Sequence, residues 1–216
     1  MIIGKPKVVV CPACFAEHTQ MRLISGNTFG ATYFSDGNFI APMLPQVPPY
    51  ARCSKCDVFY KITNDNTIYD DERSCGEYDD KRSWDELKAI PNVEKLSVRG
   101  MTLAINEGLY NGTKKDTLIL RIMLWREMNI KRKYHSDEEE ALYTDNCRQI
   151  LSVIQSENDD GSIITKAEIW RNLGDFDKCR EVLSQITDGD KYQKYTIAMK
   201  KACDRRDTLT IKIGEN

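Results

Sequence analysis

Cys11-Pro12-Ala13-Cys14 and Cys53-Ser54-Lys55-Cys56 decide the reading of this 216-residue chain. In a Cys-x-x-Cys turn the second sulfur folds back beside the first. Both then face one point, while backbone N–H groups of the turn ease their charge. Two such turns supply four thiolates, a set that closes a tetrahedral zinc site and leaves no position for water or substrate. The spacing therefore predicts a single structural Zn2+ held by Cys11, Cys14, Cys53 and Cys56, rather than a catalytic ion. Two redox dithiols or a pair of disulfides are the alternative use of the same residues. His18, four residues past Cys14, is the alternative ligand, one that four available Cys disfavour.

The 38 residues between Cys14 and Cys53 exceed the roughly 15–20 of a compact double-knuckle site. Something folded must fill them. Phe29 to Phe34 and Asn38 to Met43 are apolar and β-prone, and Ser35-Asp36-Gly37 supplies the turn of a hairpin between them. Lys7 to Val10 and Val58 to Ile62 read as the remaining strands of a zinc ribbon whose base the metal clamps. Pro42, Pro45, Pro48 and Pro49 make the return to Cys53 a stiff, extended connector that cannot be a central strand.

Composition bounds the rest. Hydrophobic residues make up 41% of the chain, enough for a real core, and the formal net charge is −2. No apolar leader is read at the N-terminus, and no run approaches the roughly 18–20 apolar residues of a membrane span. Eight Cys without a secretion signal fit a reducing compartment, so the cytoplasm is the expected location and no membrane partner is expected. Residues 1–67, the expected ribbon domain, hold six bases (Lys5, Lys7, Arg22, Arg52, Lys55, Lys61) and four acids (Glu17, Asp36, Asp57, Asp65). The two charges of surplus are cancelled by four thiolates around a divalent ion, which disfavours a phosphate-binding face. Residues 68–82 read as an acidic linker in which Cys75 is a surface thiol.

From Ser83 to the end, helical periods with start and stop signals define a second domain, 83–216. One helix is expected over Leu96 to Tyr110, closed by Asn111-Gly112. The next, capped by Asp116 or Thr117 and running to Lys131, carries Leu118, Ile119, Ile122, Met123, Trp125 and Ile130 around most of its circumference. It is expected to be the buried centre. Lys131, Arg132 and Lys133 complement its dipole. Ser136 and Glu139 form a capping box for a helix that places Tyr143, Cys147, Ile150, Leu151 and Ile154 on one face. A fourth helix spans Ile163 to Leu173. A fifth presents Phe176, Cys179, Val182, Leu183 and Ile186, and a sixth from Asp190 turns Tyr192, Tyr195, Met199 and Ala202 inward, with Cys203 bordering that face. Leu209, Ile211 and Ile213 alternate as a short strand that can add to the ribbon's sheet.

Residues 167–186 resemble the middle of a tetratricopeptide repeat. Small Ala167 admits a partner helix, Gly174 permits the tight turn, Phe176 packs under it, and Cys179 stands where the repeat usually has Ala. Only one unit is recognisable, so a six-helix bundle with one repeat-like hairpin is expected rather than an array. Taken together, the knuckles, the stretch from Ser25-Gly26-Asn27-Thr28 to Met43-Leu44-Pro45, Leu120-Arg121 to Trp125, and Leu173-Gly174-Asp175-Phe176 resemble a family of uncharacterised bacterial proteins. That family combines an N-terminal four-cysteine zinc ribbon with a C-terminal repeat-like helical domain. The resemblance carries no established activity.

The fold class expected is α+β: a small antiparallel zinc ribbon followed by an all-α, tetratricopeptide-like bundle. No catalytic constellation is read, since only His18 and His135 can serve as imidazole bases and no phosphate loop or nucleophile elbow is present. The functional expectation is a non-enzymatic protein that presents surfaces to another protein; the alternative is a nucleic-acid-binding ribbon.

Overall fold

The computed structural model describes residues 1–68 and 82–215. Cys75 and most of the acidic linker therefore lie outside the described residues. Two compact units divide the chain, Met1–Asn27 with Met43–Leu120, and Thr28–Pro42 with Arg121–Asn216. Among the described residues, small antiparallel sheets and seven α-helices make an α+β architecture.

In the first unit, β1 (Ile2–Val10) and β2 (Glu17–Ser25) form a hairpin, and β7 (Thr67–Ile68) pairs with Val8 and Val9 on the other side of β1. A second hairpin joins β5 (Tyr50–Arg52) to β6 (Phe59–Lys61). Strand β2 was not read from the sequence, and its burial explains why. His18, Thr19 and Gln20 are all buried in succession, so no polar–apolar alternation exists to be seen. Thr19 and Gln20 find partners distant in the chain instead. Thr19 Oγ1 donates to Asn92 Oδ1 at 2.7 Å, Gln20 Nε2 donates to the Pro48 carbonyl at 2.7 Å, and residues 91–93 cover the free edge through Thr19. Helices α1 (Trp84–Lys88) and α2 (Val98–Glu107) follow, N-capped by Ser83 and Ser97, and α2 stops at Gly108, whose φ of 87° a side chain would resist.

Helix α3 (Lys114–Lys131) opens on a reciprocal pair: Thr113 Oγ1 accepts from the Asp116 amide, and Asp116 Oδ2 accepts from Thr113 N and Oγ1. Tyr50 Oη donates to Asp116 Oδ1, and Lys61 Nζ stands 2.7 Å from the same oxygen. The division between the two units falls in α3, between Leu120 and Arg121.

The second unit contains α4 (Asp137–Val153), α5 (Asp160–Asn172), α6 (Phe176–Leu183) and α7 (Gly189–Asp204). Ser136, Asp159, Asp175 and Asp188 cap them, each accepting the amide three residues on, at roughly 1 kcal/mol apiece. Gly174, at φ 81°, makes the α5–α6 turn. The core of this hairpin and α7 is Ile164, Ala167, Phe176, Cys179, Leu183, Met199 and Cys203. Cys147 is also fully buried, and burial pushes its thiol up to about 12.

Three expectations are corrected here. The centre of the helical unit is α5, with eight buried residues, whereas Ile130 on α3 is 59% exposed. The hairpin inserted between the knuckles is shorter than read, β3 (Thr32–Phe34) with β4 (Phe39–Ile40), and belongs to the helical unit. The C-terminal strand, β8 (Lys212–Glu215), adds to β3 of the hairpin expected in the ribbon, and with that hairpin it belongs to the helical unit.

The physical reason is a buried polar network around the expected turn, Ser35-Asp36-Gly37. Ser35 Oγ donates to Glu168 Oε1 at 2.6 Å and accepts from the Ile211 amide at 2.9 Å. Arg171 grips both oxygens of Glu168, through Nε at 2.9 Å and Nη2 at 2.5 Å, with both side chains fully buried. Burial pushes the Glu168 carboxyl up. Yet donors from Arg171 and Ser35 face its oxygens, so the ionised form is the one that satisfies them. Asp36 Oδ2 accepts from Asn129 Nδ2, and its carbonyl from Arg126 Nε. A segment with two buried polar side chains stays where those groups find partners, because each unpaired one costs about 1–3 kcal/mol.

The Asp116 anchor gives the first unit an acid limit. Hydrogen bonds from Lys61 and then Thr113 hold its carboxyl well below the usual carboxylate range, against an unfolded value of about 3.9. A depressed folded pKa means stability that is complete above the unfolded value and lost as pH falls through the folded one. Asp116→Asn should therefore lower stability at neutral pH, with the deficit shrinking only below about pH 4. Urea titrations of both proteins across that range check this; a deficit independent of pH would contradict it.

Candidate metal centre

Each Cys-x-x-Cys sits at the tip of a hairpin, one between β1 and β2 and the other between β5 and β6. The two tips are built alike. The Cys11 amide donates to the Ala16 carbonyl at 2.8 Å and the Phe15 amide to the Cys11 carbonyl at 2.9 Å. In the second tip, the Cys53 amide donates to Val58 and the Asp57 amide to Cys53, both at 3.0 Å. Phe15 and Asp57 occupy the same place and both have left-handed backbones, φ 60° and 61°. Asp tolerates that region; for Phe it costs on the order of 1 kcal/mol, a strain that a closing bond elsewhere must offset.

The four Sγ atoms lie within 4.8 Å of one another. Cys11 and Cys56 approach to 3.7 Å, and Cys14 and Cys53 to 3.6 Å, so the close pairs run between the knuckles. A tetrahedron with metal–sulfur bonds of about 2.3 Å has edges of about 3.8 Å, whereas a disulfide needs about 2.05 Å. The set can hold a metal ion, and its donor atoms fit a tetrahedral one. Cys11 and Cys53 are buried and Cys14 and Cys56 half-buried, so the site faces inward with one rim near solvent.

The turns also prepare the sulfurs for negative charge. The Lys55 amide donates to Cys53 Sγ at 3.4 Å. The Ala16 amide, with smaller help from the neighbouring thiols, brings Cys14 down to about 7. Burial pushes Cys11 up. Cys56, although the Val58 amide favours its thiolate, is raised to about 12 by burial and by the other three sulfurs. Four thiolates this close cannot all ionise alone, and a divalent cation removes the conflict.

His18 is not among the sulfurs. Its Nε2 accepts from the Ser54 amide at 3.3 Å and lies 3.1 Å from Ser54 Oγ, tying β2 to the second knuckle. Burial lowers its pKa, keeping the acceptor form that this bond requires. Tyr60, also buried, packs with Val9, Ala51, Cys11 and Cys53 to form the dry wall of the site. Neither role was visible in the sequence, since each depends on a register between strands that are distant in the chain. His135, the other histidine, faces the Met128 carbonyl and Glu140 in the second unit.

No protein-family model, curated protein or solved structure matches this chain.

The purified protein should carry one metal ion per chain, and Cys53→Ser should reduce this to a small fraction, because three thiolates and an open position bind far more weakly. Metal analysis after exhaustive dialysis measures it. A folded parent protein with no metal would contradict the assignment.

Proposed function

We propose that the four cysteines hold a structural Zn2+ in a zinc ribbon, and that the chain is a non-enzymatic interaction protein whose ribbon and tetratricopeptide-like helices present surfaces to another protein. The observation that carries the metal reading is that the four thiol sulfurs lie within 4.8 Å of one another: four such donors would complete a tetrahedral coordination and leave no place for a reacting water. Zinc suits it because a thiolate tetrahedron selects zinc or iron, and zinc adds no redox chemistry to a stapling role. The likeness to an uncharacterised bacterial family of ribbon and helical repeat belongs to this proposal as well.

The interaction reading rests on the α5–α6 hairpin, where Ala167, Gly174, Phe176 and Cys179 occupy the places a repeat requires. The two histidines are held by structural hydrogen bonds, as described above. No helix among the described residues is long and apolar enough to cross a membrane. Charge argues against nucleic acid as partner, since a phosphate backbone needs a local surplus of Lys and Arg.

A salt titration separates the two partner classes. Any binding to single- or double-stranded DNA or RNA should be weak and vanish by about 150 mM salt, where the Debye length is about 8 Å. Zinc should be the ion found, giving a colourless protein. Sub-micromolar nucleic-acid binding at that salt would overturn the interaction reading, and visible charge-transfer bands would replace zinc by iron.

A further inference from the structure

Helix α5 buries a lysine whose ammonium is only partly satisfied. Lys166 is 8% exposed, and the hydrogen bond that holds it runs from Nζ to the Glu157 carbonyl at 2.6 Å. An ammonium has three donors, and no carboxylate among the described residues forms an ion pair with this one. The contrast within the molecule is sharp: Arg171 is gripped by Glu168, and the buried Asp116 by Lys61. A buried charge without a counter-charge is costly, and buried charges are ordinarily paired, which leaves this ammonium open to an incoming anion.

Lys166 lines a groove of ≈ 630 Å³ bounded by the end of α4, by α5, and by α6 with the residues after it. Its apolar walls are Leu151, Trp170 and Val182; Lys178 and Gln185 stand beside them, and Glu181 on the exposed side of α6 is the one acid in the lining, forming no ion pair with Lys166. Lys166 and Trp170 are one helical turn apart, so the ammonium and the indole share a face. Lys178 Nζ lies 4.4 Å from the centre of the Trp170 ring and pairs with Asp175 at 2.8 Å. The groove thus joins an aromatic wall to a buried cation.

We propose that this groove binds a partner peptide carrying an acidic side chain next to an apolar one, the carboxylate meeting Lys166 and the apolar group packing on Trp170. Charge complementarity selects the occupant: a neutral apolar segment would leave the ammonium buried and still lacking a counter-charge. The inference rests on the interaction reading above and names the chemistry of the partner.

The test is an NMR titration of the 15N-labelled, metal-loaded full chain with a capped Gly-Leu-Glu-Leu-Gly peptide and its Gln-for-Glu counterpart. The expected result is shifts of the Trp170 indole and of the Lys166 and Val182 amides, with the Glu peptide binding about tenfold more tightly. Lys166→Met should erase that difference and raise the melting temperature of the free protein, because an uncompensated charge is replaced by an isosteric apolar chain. Gln185→Glu, at an exposed position, should weaken the Glu peptide without disturbing the fold. Equal affinities for the two peptides, no shift at Trp170, or a lower melting temperature for Lys166→Met would each overturn the proposal. So would inorganic phosphate binding as tightly as the Glu peptide, which would make this a site for free anions. Failure here with nucleic-acid binding still absent removes the groove alone, whereas sub-micromolar RNA binding removes the interaction reading whatever the peptides do.

Discussion

Four thiols drawn to one point tie the tips of the first unit's two hairpins together. The buried cluster around them consists of Val9, Cys11, Ala51, Cys53 and Tyr60, and two of those five are the sulfur donors themselves. Val8, Tyr50, Phe59, Leu87 and Met101 are buried in the same unit, and fully burying the larger of these side chains contributes roughly 1.5–3 kcal/mol each against the backbone entropy of ordering the strands. A structural zinc held by these thiols would contribute on the order of 10–16 kcal/mol, more than any other single interaction available to the two hairpin tips. The left-handed Phe15 and Asp57 and the sulfur-directed amides follow from that closure.

The chain between the knuckles leaves this unit after Asn27 and re-enters it at Met43. The exit is tight: Asn27 N donates to the Met43 carbonyl at 3.3 Å, and a Cβ on Gly26 would meet that same oxygen at 2.5 Å. Gly26 is therefore required by close backbone approach. What holds the excursion is polar. Ser35 joins Glu168 to the Ile211 amide, and Asp36 accepts from Arg126 and Asn129, so the hairpin and the C-terminal strand share one buried network. Trp125 extends it, donating to both Tyr143 and Asn172 at 3.1 Å.

Much of this was legible in the residues. The knuckles, the Ser136–Glu139 capping box, the Gly174 turn and the inward Cys147 and Cys179 are local signals, each set by a few neighbouring positions. The features that were not legible depend on partners distant in the chain. Strand β2 hides because three consecutive polar residues are buried with bespoke hydrogen bonds. The hairpin's turn could be read from Ser35-Asp36-Gly37, but its destination was set by Glu168 and Arg171, over 130 positions away. Helix α3 reads as central because apolar residues surround it, while α5, read from the residues only as a span, carries Lys166, Glu168 and Arg171 inward and is the real centre. Charged residues on a buried face are the pattern that hydrophobic periodicity cannot anticipate.

Hydrogen exchange with and without a zinc chelator tests the central claim most directly, because it reports each amide separately. If the thiol cluster holds the first unit together, chelation should abolish protection in β1, β2, β5 and β6 while amides of α5, α6 and α7, which have their own core, stay protected. Strands that keep their protection once the metal is gone would contradict the account.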